Sequence, residues 1–312
     1  MYKLLGAKSM KIVFIFPGQG AQIPGMLSDV PDYVNHVKEN IGITLRDDED
    51  AFQSTFWVQL ALFVKGVATA RELMKQGIQP QFVAGHSIGA FAAAVIAGVM
   101  TFDDAIKLVY QRAKLTEEAY PDGYGMGVIS GLTEREVKKA VELSHTEALP
   151  VYLSNINAEQ QIAVSGSVEG IHTAFQHAQK LGARKTTMLK VAIPSHCPLM
   201  ADVSQELLEL VETFTLNNPK IPYLANHTGR ILRQKEKIAE DLALNVAYPV
   251  RWHDMAEICV ESGADTFVEM PPGNVLTNLV KQAHGTTKQI AAGEVGLEAA
   301  RYLINKWKEQ AE

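Results

Sequence analysis

Residues 85–89 read Gly-His-Ser-Ile-Gly, a spacing that can present a nucleophile. The segment before them, QFVA, is typical of a short buried strand, and the apolar run from Ile88 to Met100 is typical of a buried helix. When G-x-S-x-G lies at such a junction, its serine stands at the tip of a sharp turn. The small neighbours let the strand and the helix approach closely. The pattern therefore predicts Ser87 as a catalytic nucleophile; the alternative is a glycine-rich turn that contains a serine by chance.

A serine nucleophile needs a general base, and nine histidines are available. His196, in VAIPSHCPLM, stands apart because it follows a predicted strand and a proline and precedes a predicted helix. It comes 109 residues after Ser87, which agrees with the serine-before-histidine order known for this kind of turn. We therefore predict His196 as the base, whereas no acidic residue can be selected as a third member. His86 is predicted to line the same site, with its side chain pointing away from that of Ser87.

The segment PGQGAQ, residues 17–22, is a glycine turn at the end of the first predicted strand. Such a loop lies at the carboxyl edge of a parallel sheet, where ligands bind, and it can offer backbone N–H groups. It has neither the G-x-G-x-x-G nor the G-x-x-x-x-G-K spacing of phosphate-binding loops. An oxyanion-binding role therefore fits better beside a serine nucleophile.

Arg112 lies in the predicted helix KLVYQRAKLTEE, which is otherwise apolar at Ile106, Val109 and Ala113. One interpretation is a surface arginine that pairs with Glu117 or Glu118. The other is a buried cation that binds an anionic group of a ligand. The residue pattern by itself leaves both open.

The elements that must position these residues follow two patterns. Continuous apolar runs such as KIVFIF, followed by helices near 51–76 and 102–119, indicate buried parallel strands in an α/β core. After a turn cluster at 121–125, the short units run strand, helix, strand, strand, helix, strand, up to about residue 192. We therefore predict a parallel-sheet core of residues 10–121 and 193–312, interrupted by an α+β insertion of residues 122–192. Residues 1–9 are predicted to be a loose extension or to reflect an upstream start.

Composition narrows the class of protein. The chain has 312 residues, of which 47% are hydrophobic and 21% charged, and a net charge of -6, which argues against a nucleic-acid-binding surface. Its two cysteines lack metal-ligand spacing and suit a reducing cytoplasm. The longest apolar stretch, 13 residues, is shorter than the roughly 20 that a membrane span needs. We therefore expect a cytoplasmic protein with no metal, no membrane span and no nucleic-acid partner.

Six segments together resemble one family, the malonyl-CoA:acyl carrier protein transacylases. They are FIFPGQGAQ, AGHSIGAFAAAVIAG, the Arg112 helix, VAIPSHCPLM, YPVRW (248–252) and FVEMPPGNVLTNL (267–279). The resemblance implies an α/β-hydrolase-like core with a ferredoxin-like insertion. It also implies transfer of a malonyl group from malonyl-CoA, through a malonyl-serine, to the phosphopantetheine thiol of an acyl carrier protein. No permanently bound cofactor is implied.

The resemblance assigns a role to each candidate residue. Ser87 would be acylated, His196 would be its base, and Gln19 and Ile88 would supply the oxyanion-binding N–H groups. Arg112 would bind the malonyl carboxylate. A backbone carbonyl near the PVRW segment would orient the histidine, which explains why no acid stands out. Arg251 is a departure, because many members carry Gln there, and it is predicted to place an extra positive charge near the site.

A narrower resemblance concerns AYPDGYGM (119–126), VYLSNINA (151–158) and the GHSIGAFAAAV form of the serine turn, in which Ala90 and Phe91 follow the motif. These segments look like the transacylase subunit of malonate decarboxylase. Two other functions stay open: a serine thioesterase or esterase with the same turn, and a non-catalytic docking subunit for a carrier protein. Arg112 discriminates among them, since a general esterase gains nothing from a buried cation in its acyl pocket.

Overall fold

The computed structural model describes residues 10–120 and 122–310; the extension predicted for residues 1–9 lies outside this range. The strands are β1 (Ile12–Phe16), β2 (Phe82–Gly85), β3 (Tyr124–Ser130), β4 (Val151–Ala158), β5 (Gln161–Ser167), β6 (Lys185–Met188), β7 (Tyr223–Leu224), β8 (Ile231–Leu232), β9 (Thr266–Glu269) and β10 (Lys288–Ala291). The α-helices are α1 (Pro31–Ile41), α2 (Thr55–Lys75), α3 (Gly89–Ile96), α4 (Phe102–Ala119), α5 (Glu134–Glu142), α6 (Val168–Lys180), α7 (Ala201–Val211), α8 (Lys235–Leu244), α9 (Trp252–Glu261), α10 (Val275–Ala283), α11 (Ala292–Val295) and α12 (Leu297–Glu309).

One sheet has six strands in the order β10-β9-β1-β2-β7-β8. Every neighbouring pair is parallel except β7 and β8, which are antiparallel. All five residues of β1 are buried, because helices cover both faces of a parallel sheet and leave its central strand no polar side. The predicted mixed α/β class with a parallel sheet is confirmed.

The second sheet has four antiparallel strands in the order β4-β5-β3-β6. Its helices α5 and α6 follow β3 and β5, which is the alternation expected from the sequence. A separate apolar cluster, including Ile129, Val137, Ile162 and Ile171, lies between this sheet and its helices. The four-stranded sheet therefore has its own core.

Backbone hydrogen bonds join β4 of the antiparallel sheet to the segment that precedes α9. Ile156 N donates to Val250 O at 2.8 Å, and Val250 N donates to Ser154 O at 2.9 Å. The middle of β4 is thereby held against the segment that leads into α9. Side chains from both sheets can consequently face one cleft.

Element boundaries differ from the prediction at two helix ends, one next to a glycine and one next to a proline. The helix expected over 88–100 is α3, which ends at Ile96 because Gly98 adopts a φ of 78° that the helix cannot continue through. The helix expected from Pro198 begins as a single 3-10 turn and becomes α-helical at Ala201. In contrast, α4 spans the predicted residues, with the Thr101 hydroxyl accepting from Asp104 N. Within the described residues no helix has the length and apolar character to cross a membrane.

Candidate active site

Ser87 lies in the sharp turn between β2 and α3, with a φ of 55°. Such a positive φ is strained for a residue with a side chain. The glycines on either side are required by contact distances: a Cβ on Gly85 would lie 2.1 Å from Gly89 C, and one on Gly89 would lie 2.2 Å from Phe16 O. The G-x-S-x-G spacing thus lets α3 start directly against β1 and β2, with Ser87 at the tip of the turn.

Asn226 holds this turn from the β7 side. Its Oδ1 accepts from Ser87 N at 2.9 Å, and its Nδ2 donates to Gly85 O at 2.8 Å. The buried carboxylate of Asp241 in turn accepts from Asn226 N at 3.1 Å and from the Tyr223 hydroxyl at 2.9 Å. Sequence reasoning missed Asn226, because a lone asparagine after a two-residue strand carries no distinctive pattern.

His196 contacts the Ser87 hydroxyl directly. Its Nε2 lies 2.7 Å from Ser87 Oγ, and its Nδ1 lies 2.5 Å from Asn245 O. A carbonyl oxygen only accepts, so Nδ1 must carry the proton and Nε2 must be the acceptor. Like Ser87, His196 has a positive φ, of 65°, a backbone conformation that is strained for a residue with a side chain. The structure thus brings together the two residues predicted as nucleophile and base.

Burial and the nearby Arg112 charge lower the pKa of His196 from 6.5 to about 3. Both causes disfavour the imidazolium, the first because it removes solvent and the second because like charges repel. His196 is therefore neutral at physiological pH, with Nε2 ready to accept the Ser87 proton.

The lowered pKa of His196 predicts how the rate of Ser87 acylation and the stability of the fold depend on pH. The rate constant for acylation of Ser87 should stay level as pH falls through 6.5, because the folded protein does not protonate His196 there. The folded-state pKa lies below the unfolded value, so the unfolded chain binds the extra proton and stability declines as pH falls below 6.5. Single-turnover acylation with circular dichroism at each pH tests this. An acid limb near pH 6.5 in fully folded protein would show that His196 titrates normally.

Arg112 is buried, with 1% of its surface exposed. Its Nη2 lies 3.3 Å from Ser87 Oγ and 3.4 Å from Asn245 Oδ1, its Nη1 donates to Gln59 Oε1, and its guanidinium lies over the Phe91 ring. No carboxylate among the described residues forms an ion pair with it, and burial lowers its pKa to about 9. It remains a cation at neutral pH.

The alternative of a surface arginine paired with Glu117 or Glu118 is wrong, because Arg112 is buried and forms an ion pair with neither. Glu117 instead accepts from the Ser54 hydroxyl at 2.6 Å and from Phe56 N at 3.4 Å. Arg112 lies on the buried face of α4. A buried cation that lacks a counter-ion is costly unless a partner anion arrives, so the position beside Ser87 favours an anion-binding role.

Asn245 contacts all three of these residues and was not singled out from the sequence. Its backbone oxygen accepts from His196, its Nδ2 donates to Ser87 O at 3.0 Å, and its Oδ1 accepts from Arg112. It lies four residues before Pro249, close to the PVRW segment in which the orienting carbonyl was expected. The signal that could have found it is this position, at the end of α8 and just before that segment.

The two predicted oxyanion donors belong to two separate elements of the core. Ile88 N–H is at the first turn of α3, where the helix dipole favours negative charge. Gln19 N–H belongs to the loop after β1. Within residues 10–120 and 122–310 neither N–H has a hydrogen-bond acceptor, so both are available to a ligand.

A cavity of about 270 Å³ opens above Ser87 between the two sheets. The core contributes the loop 17–21, His86, His196 and the start of α10; the four-stranded sheet contributes Met126, Val128, Asn155, Asn157, Gln161 and Ala163. His86 Nε2 lies 3.1 Å from both Asn155 Nδ2 and Asn157 Oδ1. His86 therefore lines the cavity with its ring held by β4 rather than by Ser87. Burial lowers the pKa of this histidine.

The structure does not bring Arg251 to the cavity. Its Nη1 and Nη2 bind Glu134 at 3.3 and 3.2 Å, and its Nε donates to Asp254. Two carboxylates therefore neutralise the extra positive charge expected near the site. Only its backbone approaches the site, since Arg251 N donates to Asn226 O at 2.8 Å. The ion pair with Glu134 could not be seen in the sequence, because the two residues are 117 positions apart.

The predicted role of His196 as base and acid in each half-reaction implies that His196→Ala slows both acylation and deacylation of Ser87 by about 10²–10⁴-fold. Pre-steady-state release of CoA and decay of the acyl-enzyme measure the two steps. The matched control is His145→Ala, which removes a histidine bonded to the Val151 backbone. Near-parent rates in His196→Ala would mean that another group takes the serine proton.

The chain belongs to the acyl transferase domain family, whose model matches residues 13–297. The malonyl CoA-acyl carrier protein transacylase of Bacillus subtilis strain 168 is 31% identical to it, over 96% of this chain and 98% of the relative. The solved structure of the malonyl CoA-acyl carrier protein transacylase from Coxiella burnetii has a TM-score of 0.90 at 29% identity, covering 96% of this chain and 98% of that one. The family resemblance inferred from the motifs is thereby confirmed.

A second similar structure is a type II polyketide acyl carrier protein in complex with its malonyl-transacylase. Its TM-score is 0.86 at 32% identity, and the match covers 92% of this chain and 99% of the matched chain.

Within the described part of the present chain, no group of three or more His, Cys, Asp or Glu residues is placed to hold a metal ion.

Proposed function

We propose that this protein is a malonyl-CoA:acyl carrier protein transacylase. The observation that carries the substrate assignment is Arg112, a buried cation without a carboxylate partner among the described residues, 3.3 Å from the Ser87 hydroxyl. An acyl group that reacts at Ser87 and also bears a carboxylate supplies the missing anion. The names of the relatives and the structural neighbour with a bound carrier protein support the same assignment.

In the first half-reaction, His196 Nε2 takes the Ser87 proton while Oγ attacks the thioester carbonyl of malonyl-CoA. The N–H groups of Gln19 and Ile88 stabilise the oxyanion of the tetrahedral intermediate. The C–S bond then breaks, and the proton on His196 passes to the CoA sulfur. Malonyl-Ser87 and free CoA result.

In the second half-reaction, the phosphopantetheine thiol of the carrier protein enters the same cavity. His196 takes the thiol proton, and the sulfur attacks the malonyl-serine ester. Collapse of the second tetrahedral intermediate breaks the C–Oγ bond and returns the proton to Ser87. Since CoA leaves before the carrier enters, the reaction is ping-pong.

Selectivity for malonyl over uncharged acyl groups follows from the burial of the Arg112 cation beside Ser87. A malonyl carboxylate can accept two charge-assisted hydrogen bonds from the guanidinium. An acetyl group lacks the carboxylate and leaves the cation without an anion, at a cost of about 3–5 kcal/mol by analogy with broken buried ion pairs. Transfer of uncharged acyl groups is thereby suppressed.

The proposed architecture is an α/β-hydrolase-like core of residues 10–121 and 193–312 with a ferredoxin-like insertion of residues 122–192. This division is supported by the sheet topology, because all the strands between residues 124 and 188 belong to the antiparallel sheet and the remaining strands belong to the six-stranded sheet. The proposed location is the cytoplasm, where the free thiols of Cys197 and Cys259 would stay reduced.

Incubation with radiolabelled malonyl-CoA, with and without phosphopantetheinylated carrier protein, tests the function. Label on the carrier is the expected result. Label released as free malonate at the same rate in both reactions would indicate a thioesterase or esterase. If CoA is not released in either reaction, the protein is a non-catalytic docking subunit.

The resemblance to the transacylase subunit of malonate decarboxylase stays a prediction about the carrier. It predicts that kcat/KM is higher with the carrier subunit of malonate decarboxylase than with a fatty-acid or polyketide acyl carrier protein. Parallel assays with the three carriers at matched malonyl-CoA concentration measure this preference. A higher kcat/KM with either of the other carriers would contradict it.

A further inference from the structure

A chain of hydrogen bonds joins the Arg112 guanidinium to the side chain of Gln19. Arg112 Nη1 donates to Gln59 Oε1. Gln59 Nε2 donates to Thr55 Oγ1 at 3.3 Å, and Thr55 Oγ1 donates to Gln19 Oε1 at 2.9 Å. The chain therefore runs from the proposed carboxylate-binding group to the loop that carries a proposed oxyanion donor. Neither Gln59 nor Thr55 takes part in a bond-making or proton-transfer step of the two half-reactions.

The Arg112 guanidinium determines which group donates and which accepts in each hydrogen bond of this series. A guanidinium only donates, so Gln59 presents its oxygen to Arg112 and its amide nitrogen to Thr55. The hydroxyl proton of Thr55 is then left to point at Gln19. Thr116 Oγ1 accepts from Gln59 Nε2 at 3.0 Å and donates to Ala113 O at 3.2 Å, so it does not compete for the Gln19 oxygen.

Gln59 is the fully buried link of this hydrogen-bond chain, whereas Thr55 is partly buried. Gln59 and Thr116 are fully buried, which removes competition from solvent and strengthens their hydrogen bonds. Thr55 and Gln59 are four residues apart on α2 and so share one face of that helix. A single helical turn therefore spaces the contact to Arg112 from the contact to Gln19.

We propose that Thr55 and Gln59 act as a ruler for the length of the acyl group. By fixing the Gln19 loop relative to Arg112, they match the site to one carbon between the thioester carbonyl and the distal carboxylate. Both are positioning residues, since they act through Arg112 and Gln19. The inference rests on the proposed function and adds to it the exclusion of longer dicarboxylic acyl groups.

The Thr55→Val variant tests the ruler, because it removes only the hydroxyl that links Gln59 to Gln19. Arg112 keeps its contacts with Gln59, Asn245 and Ser87. With malonyl-CoA we expect kcat to fall about fivefold, the size of one lost hydrogen bond, and KM to change little. With succinyl-CoA, whose carboxylate is one carbon further away, we expect kcat/KM to rise, so the malonyl-to-succinyl ratio falls about tenfold or more.

Two further variants separate this role from general loosening of α2. Thr55→Ser retains the hydroxyl and should restore the parent ratio. Thr69→Val makes the same hydroxyl-to-methyl change at a buried position of α2 that is outside this hydrogen-bond chain, so it too should keep the parent ratio. Thermal melts confirm that each variant is folded.

An unchanged malonyl-to-succinyl ratio in folded Thr55→Val would overturn the ruler, as would failure of both parent and variant to transfer succinyl. In either case, parent transfer of malonyl to a carrier leaves the proposed function standing. If the parent forms no malonyl-enzyme at all, the proposed function itself fails.

Discussion

The Ser87→Ala variant is expected to lose malonyl transfer by at least about 10⁴-fold in kcat and to form no malonyl-enzyme. The substitution should leave the turn intact, because Asn226 and Asn245 hold Ser87 through its backbone N–H and C=O. His196 also keeps its bond to the Asn245 carbonyl. Intact-protein mass spectrometry after incubation with malonyl-CoA measures the adduct.

A buried serine outside the cavity gives the matched control. Ser204 lies on α7, and its hydroxyl donates to Ala243 O at 3.0 Å. Ser204→Ala should acquire the malonyl adduct at the parent rate. A persisting adduct in Ser87→Ala would show that another residue is acylated and would remove the basis for the mechanism.

The Arg112→Ala variant is expected to reverse much of the acyl preference. Malonyl transfer should fall because the carboxylate loses its partner, while acetyl transfer should gain because no buried cation is left unpaired. We expect the malonyl-to-acetyl ratio of kcat/KM to fall by about 10²-fold or more. Arg112→Lys should recover only part of it, since an ammonium keeps the charge but lacks the planar two-point geometry.

Arg251→Ala is the matched control for this ratio. Arg251 already has Glu134 and Asp254 as partners and does not face the cavity, so its loss should leave the acyl preference at the parent value. The same malonyl-to-acetyl ratio in Arg112→Ala as in the parent would remove the main structural reason for naming malonyl as the substrate.

Sequence patterns predicted the parts of this site that follow from local chemistry. A Cβ on Gly85 or Gly89 would lie 2.1 or 2.2 Å from a neighbouring backbone atom, far inside van der Waals contact. Glycine is therefore required at both positions, and the requirement is visible in the sequence as a motif. Arg112 is different: the residues around it in α4 permit both a surface and a buried interpretation. Its burial is decided by α2, which packs on α4 and supplies Gln59.

The residues that the sequence did not reveal act across long separations. Asn226 and Asn245 reach the serine turn from 139 and 158 positions away, and a single amide residue gives no periodic signal. Arg251 was predicted near the site because the chain around it is near the site, yet its guanidinium is bound by Glu134 of α5 and by Asp254. The two-residue strand β8 is also too short to be predicted by alternation.

In the proposed reaction, Ser87 carries the malonyl group between the donor and the carrier protein. The most direct measurement is a single-turnover chase, in which malonyl-enzyme is freed of CoA, mapped by peptide mass spectrometry and then mixed with phosphopantetheinylated carrier protein. We predict a malonyl ester on the peptide that contains Ser87, lost at the rate at which the carrier gains malonyl and nearly stable in buffer alone. Malonylation of the carrier without a prior adduct on Ser87, or decay of the adduct into water at a rate that the carrier does not change, would contradict the account.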